Sequence, residues 1–197
     1  MLKISIDVPS MFKKGIKNTN DDFLVALING YQGSGKSYYG IYNLERNFKG
    51  RVVYTNIMSY RSNSLEVHYF KNLFELYDNH DIGAIFLIDE LSKKFTKDSK
   101  IDKAFYSWLQ QSRKHKRYVY MITQEYLQVP NWLRGVANLS YTTRKVPLLP
   151  IMITSLGKPV LSDDTKEWAL EEQAIRIYKR TKDVACLYDT YEIINTL

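Results

Sequence analysis

Short apolar runs alternate with amphipathic stretches through the first two thirds of the chain. FLVALIN (23–29), RVVYTNI (51–57), AIFLIDE (84–90) and YVYMITQ (118–124) are rich in β-branched and aromatic residues and bounded by glycine or polar residues, which predicts four strands. Between them SYYGIYNLERNF (37–48), HYFKNLFELYDN (68–79) and DKAFYSWLQQSRKH (102–115) predict helices. In the last of these, Phe105, Trp108, Leu109 and Ser112 fall at i, i+3, i+4 and i+7, a seam facing a core. Strands alternating with helices imply right-handed crossovers and a central, mostly parallel sheet flanked by helices, an α/β fold.

Beyond Gln124 the rhythm changes. NLSYTTRKV (138–146), PIMITSL (150–156), QAIRIYKR (173–180) and VACLYDTYEI (184–193) predict further strands with short connections, hence an antiparallel extension of the sheet near the C-terminus. DTKEWALEEQA (164–174) competes as a short helix. There is no internal repeat and no low-complexity linker, and 197 residues suit one core. The expected organisation is a single domain: an N-terminal segment 1–22, a nucleotide-binding core 23–146, and C-terminal strands and helix 147–197.

The turn after the first predicted strand, GYQGSGKS at 30–37, carries the chemistry. It fits G-x-x-x-x-G-K-[ST] at Gly30, Gly35, Lys36 and Ser37, between a strand and a helix as that motif requires. Glycines let successive backbone N–H groups curl around an anion, and the following helix points its positive end at it. Lys36 would reach the β and γ phosphates and Ser37 would ligate Mg²⁺. The nucleotide-binding candidates are Gly30, Gln32, Gly33, Ser34, Gly35, Lys36, Ser37 and Tyr38.

AIFLIDEL ends its strand on Asp89 and Glu90. An aspartate there helps hold Mg²⁺, and an adjacent glutamate can orient and deprotonate an attacking water, which favours hydrolysis over phosphoryl transfer to a small acceptor. No guanine-reading N-K-x-D tetrapeptide occurs, so ATP is the expected nucleotide. RVVYTNI, between the phosphate-loop strand and the Asp-Glu strand in sequence, suits a sheet in which an extra strand is inserted between those two. Gln124, at the carboxyl end of its strand, faces the crevice where open α/β sheets bind ligands and is a candidate γ-phosphate sensor.

Charge adds a direction. The 28 Lys+Arg outnumber the 21 Asp+Glu, giving a net charge of +7 that favours a polyanionic partner. KKFTKDSK (93–100) and RKHKR (113–117) flank the Trp108 helix and would neutralise phosphates without reading sequence. Arg134 and Arg113, then Arg144, are candidates for an arginine supplied in trans to a neighbouring subunit. A single cysteine, Cys186, allows no intramolecular disulfide, and VPLLPIMITSL (146–156) is too short and proline-broken to span a membrane.

GYQGSGKS, FLIDEL, SRKHKRYVYMITQ and the closing LYDTYE together resemble the FtsK/HerA superfamily of P-loop ATPases, and within it the small viral genome-packaging ATPases, over roughly residues 23–192. The zonula-occludens-toxin-like phage morphogenesis ATPases are close neighbours. The resemblance implies a RecA/FtsK-like P-loop NTPase, with Lys36, Glu90 and Gln124 as catalytic groups and Ser37 and Asp89 on the metal. It also implies a homo-oligomeric ring, pentamer or hexamer, around double-stranded DNA. ATP hydrolysis would pull DNA into a capsid docked through its vertex proteins, in the host cytoplasm during virion assembly and with retention at the packaging vertex. Cellular relatives carry an added amino-terminal barrel or carboxyl-terminal DNA-reading domain, for which this chain has no room. Toxin-like relatives continue into a membrane span, which is not expected here; the alternative they represent is a nucleotide-regulated assembly factor that does not pump DNA.

Overall fold

The computed structural model describes residues 3–6 and 23–189. Among the described residues nine strands form one mixed sheet: β1 (Lys3–Ile6), β2 (Leu24–Asn29), β3 (Val52–Thr55), β4 (Glu66–Tyr69), β5 (Ile85–Ile88), β6 (Tyr118–Ile122), β7 (Leu139–Lys145), β8 (Ile151–Leu161) and β9 (Trp168–Lys179). Their spatial order is β1-β9-β8-β7-β2-β6-β5-β3-β4. From β7 to β4 every pairing is parallel, as is β1 on β9, whereas β8 runs antiparallel to both β7 and β9. This is the mostly parallel sheet with an antiparallel extension that the pattern predicts, in the RecA-like manner.

Among the described residues five α-helices accompany the sheet: α1 (Lys36–Asn47), α2 (Phe74–Tyr77), α3 (Lys103–Gln110), α4 (Asn131–Val136) and α5 (Lys182–Ala185). Along β2 the buried residues divide by parity, as a strand covered on both faces must. Ala26 and Ile28 join Tyr38, Ile41 and Leu44 of α1 on one face, and Val25 and Leu27 join Phe105, Trp108 and Leu133 of α3 and α4 on the other. The α3 seam behaves as its spacing predicts: Asp102 caps the first turn by accepting from Phe105 N at 3.0 Å, and Phe105, Trp108, Leu109 and Ser112 are all buried.

Four expectations are corrected. The helix over 68–79 is a strand followed by a short turn of helix: His68 and Tyr69 belong to β4, and only Phe74–Tyr77 is helical. The open edge of β3 supplies the missing term, pairing Val52–Thr55 with Glu66–Tyr69. The short helix over 164–174 is a turn feeding β9, closed by Ser162 N on Glu167 O at 2.9 Å and anchored by Trp168 N on Asn131 Oδ1 at 3.0 Å. The strand over 184–193 starts instead with α5, whose Val184 is buried in the same cluster as α1; the part from Thr190 lies outside the described residues. Finally, RVVYTNI is not the inserted strand. It lies outside β5, and β6 separates β2 from β5.

Candidate functional site

The carboxyl ends of β2, β6 and β5 lie side by side, and each ends in a group with chemistry. β2 opens into the phosphate loop, β6 into Thr123 and Gln124, and β5 into Asp89 and Glu90. Because β6 intervenes, the loop and the acids are two strand spacings apart, about 9–10 Å at the usual interval. A cleft of about 440 Å³ opens at this rim, lined by Gly33, Lys36, Ser37, Asp89, Glu90 and Gln124 among others; Gln32, Gly35 and Tyr38 also line it.

The loop is built around two glycines that no other residue replaces without displacement. A Cβ on Gly30 (φ 150°) would meet Thr143 O at 2.5 Å, and one on Gly35 (φ 89°) would meet the Met152 methyl at 2.4 Å. Gly35 is the residue before α1, so the first N–H groups of that helix face the cleft beside Lys36 and Ser37. Ser34 is buried and hydrogen-bonded to Thr143 Oγ1 at 3.0 Å, so its side chain tethers the loop to β7 rather than entering the cleft. Gly30 N donates to Gln124 O at 2.8 Å, fixing the start of the loop to the end of β6.

Lys36 Nζ donates to Gly30 O at 2.9 Å and Tyr31 O at 3.1 Å, propping the loop from inside. Burial pulls its pKa down, and the charges of Asp89 and Glu90 oppose that fall. Ser37 Oγ donates to Asp89 Oδ2 at 2.7 Å. Asp89 is 7% exposed, and burial raises its pKa against the hydrogen bonds from Ser37 and from Glu90 N (2.7 Å). Asn56, at the end of β3, grips its backbone in both directions: Asp89 N donates to Asn56 Oδ1 at 2.7 Å, and Asn56 Nδ2 donates to Asp89 O at 3.0 Å. Glu90 has φ 54° and ψ 38°, a left-handed conformation that glycine and asparagine favour and glutamate rarely adopts, and pairs with Lys93.

The basic candidates fall in different places. Arg134 is 1% exposed; it donates to Trp168 O at 2.7 Å and pairs with Glu167 at 3.5 Å, so its guanidinium joins α4 to β9. Arg113 is exposed over the Phe23 ring at 6.0 Å, beside the amino end of β2, on the rim opposite Lys36. Arg144 is exposed on β7. The two basic segments likewise part company, since α3 carries the chain from the carboxyl end of β5 to the amino end of β6 and 93–100 and 113–117 sit on opposite rims. Arg117 is itself buried at 1% exposure, stacked over Trp108 at 5.1 Å and donating to Asn79 O.

The cleft also holds two residues that no motif marks, Lys145 at the end of β7 and Arg180 just after β9, together with Tyr188 and Asp189. No local pattern points to Lys145 or Arg180, since a strand order places them here. Tyr188 and Asp189 begin the Tyr-Asp-Thr of the closing motif, whose Thr190 lies outside the described residues.

The Zonular occludens toxin (Zot) family model matches residues 24–189, most of the chain and the whole of this site. The chain belongs to the Zot family. Among solved structures, the N-terminal domain of zonular occludens toxin from Neisseria meningitidis superposes with a TM-score of 0.59 at 21% identity, covering 83% of this chain and 97% of that one. The genome packaging NTPase B204 from Sulfolobus turreted icosahedral virus 2, in complex with ATP-gammaS, gives 0.50 at 14% identity over 79% of this chain and 99% of that one. The RadB recombinase gives 0.53 at 14% identity over 81% and 88%. At these identities the likeness is one of fold, that of RecA-like P-loop ATPases. No curated protein matches the chain. Among the described residues of this Zot-family chain no helix is long and apolar enough to cross a membrane.

Proposed function

We propose that this Zot-family protein is an ATPase that binds Mg²⁺-ATP at the cleft between β2 and β5 and uses hydrolysis to move double-stranded DNA during virion assembly. The hydrogen bond of Ser37 Oγ to Asp89 Oδ2 carries the reading, because it joins the two groups that would share one divalent cation. The residues present fit that ion: a hydroxyl and a buried carboxylate meet beside a lysine at the positive end of a helix. When bound, Mg²⁺ would neutralise charge developing on the β and γ phosphates.

The chain's own residues divide the remaining work. Backbone N–H groups of Gly33, Gly35, Lys36 and Ser37 cradle the phosphates, and Lys36 turns from its carbonyls to the β and γ oxygens. Glu90 takes a proton from the attacking water, and Gln124, on the intervening β6, orients that water or senses the γ-phosphate. The DNA part of the proposal draws on the +7 charge and on the shared fold with a genome packaging NTPase. Such a motor would work as a ring of five or six copies docked on capsid vertex proteins, in the host cytoplasm, with Arg113 acting only across a subunit boundary because of its distance from its own Lys36.

A second reading, favoured by the Zot family match and by the burial of Arg117, is an assembly factor whose nucleotide state governs protein contacts and which moves no DNA. One experiment separates the two: ATP turnover with and without linear duplex DNA across a salt series. The motor gives DNA-stimulated turnover that fades as salt rises. DNA-independent turnover with no salt-sensitive DNA binding selects the assembly factor. Full turnover after Lys36→Ala or Glu90→Gln overturns the ATPase assignment at this site.

A further inference from the structure

The acid pair and Gln124 lie on one side of the phosphate loop, and the sheet order fixes what lies on the other. Walking along the carboxyl rim from β5 through β6 to β2, the next groups reached are Lys145 at the end of β7 and Arg180 after β9. A nucleotide whose terminal phosphate sits by Asp89 and Glu90 therefore directs its nucleoside towards Lys145 and Arg180.

Arg180 is held there from several directions. Its backbone N donates to Pro150 O at 2.7 Å, and the next residue's N–H, that of Thr181, donates to Tyr38 OH at 2.8 Å. Its guanidinium lies over the Tyr38 ring at 5.1 Å, and its Nε is buried with no hydrogen-bond partner among the described residues. Tyr38 directly follows Ser37 and is fully buried, so the plane carrying the guanidinium is fixed to the phosphate site itself. Tyr188 and Asp189 also line the cleft, tied to the segment after β3 by Asp189 N on Ser59 Oγ at 2.8 Å and by Arg61 N on Leu187 O at 2.7 Å.

We propose that Arg180, backed by Tyr38, is the nucleoside-binding element of this cleft, stacking its planar guanidinium on the purine of the bound nucleotide. A guanidinium suits this work because it is flat, weakly hydrated and stacks on π systems, which an ammonium does not do equally well. The inference rests on the nucleotide-site reading above and gives a binding role to Arg180, held on the ring of Tyr38, the residue directly after the phosphate-loop motif.

The test compares ATP with inorganic tripolyphosphate, which shares the phosphates and lacks the nucleoside, by calorimetric titration of wild type, Arg180→Ala and Arg180→Lys. Wild type is expected to bind ATP about tenfold more tightly than tripolyphosphate; equal affinities overturn the inference without recourse to any variant. Both variants should lose roughly tenfold for ATP and less than twofold for tripolyphosphate. Parallel losses for both ligands in a variant whose melting temperature matches wild type make Arg180 a phosphate contact and overturn the stacking role, as does full ATP affinity in Arg180→Lys. Wild type binding neither ligand is a different result, which removes the nucleotide site itself and this inference with it.

Discussion

Ser37 Oγ and Asp89 Oδ2 stand 2.7 Å apart, one at the start of α1 and the other at the end of β5, although 52 positions separate them in the chain. Asp89 has given up water for that position, and burial dominates its pKa, pushing it up despite the donors around it. A carboxyl whose folded pKa is raised binds its proton more readily folded than unfolded. Stability is therefore lost as pH rises from the unfolded value, about 3.9, through the raised folded value. Asp89→Asn, free of Mg²⁺ and nucleotide, should melt higher than wild type at pH 7, with the gap closing as pH falls towards 4. Thermal unfolding across that range checks it; a lower melting temperature for Asp89→Asn at pH 7 contradicts the burial argument.

Glu90 combines a catalytic candidacy with a left-handed backbone. Glu90→Gln should keep ATP affinity within about threefold and lower turnover by about 10²–10⁴-fold, the range for removal of a general base. Glu90→Gly should lose turnover equally while staying within about 1 kcal/mol of wild-type stability, since relief of the positive φ offsets the added freedom of the unfolded chain. Glu90→Val should be less stable than Glu90→Gly by about 1–2 kcal/mol. Chemical denaturation measures both, and equal stabilities for Gly and Val would show that no backbone strain resides at this position.

Arg134 joins α4 to β9 through its bonds to Trp168 and Glu167. Arg134→Ala leaves Trp168 O without its donor and opens space between α4 and β9, so it should cost about 2–3 kcal/mol, a fall of roughly 4–10 °C in melting temperature. Turnover per folded molecule should stay near wild type below that temperature. A normal melting temperature with abolished turnover would reinstate Arg134 as a catalytic group.

The two glycines of the phosphate loop are confined by different neighbours. At Gly30 the obstacle is the Thr143 backbone carbonyl, and at Gly35 it is the end of a methionine side chain, which can move. Gly30→Ala should therefore destabilise more than Gly35→Ala. Gly35→Ala should also cost less in a Met152→Ala background than in wild type, a coupling that a double-mutant cycle reads directly. Additive effects would mean that φ alone, and not Met152, restricts position 35.

What the sequence shows and what it hides divide by range of interaction. The glycine spacing of 30–37, the apolar run ending on Asp89-Glu90 and the strand ending on Gln124 are local patterns, and the structure brings all three to one rim. Which strand lies between them is a matter of pairing, so the choice of RVVYTNI over YVYMITQ for the inserted position has no local signature. HYFKNLFELY satisfies helical spacing as well as strand alternation, and the open edge of β3 decides for its first residues. Arginine carries a second ambiguity, because a stacked, buried guanidinium and a solvated one look alike in sequence. Arg117 and Arg134 proved to be of the first kind, while Arg180, in a stretch read only as a strand, faces the cleft.

Lys36 occupies its own loop, donating to the carbonyls of Gly30 and Tyr31. An arriving anion therefore exchanges places with those carbonyls instead of organising a slack chain, so capture need not wait for refolding of the turn. In the proposed ATPase cycle, the lysine would return to the same two oxygens once product departs, and the receptacle would be reset by its own cation.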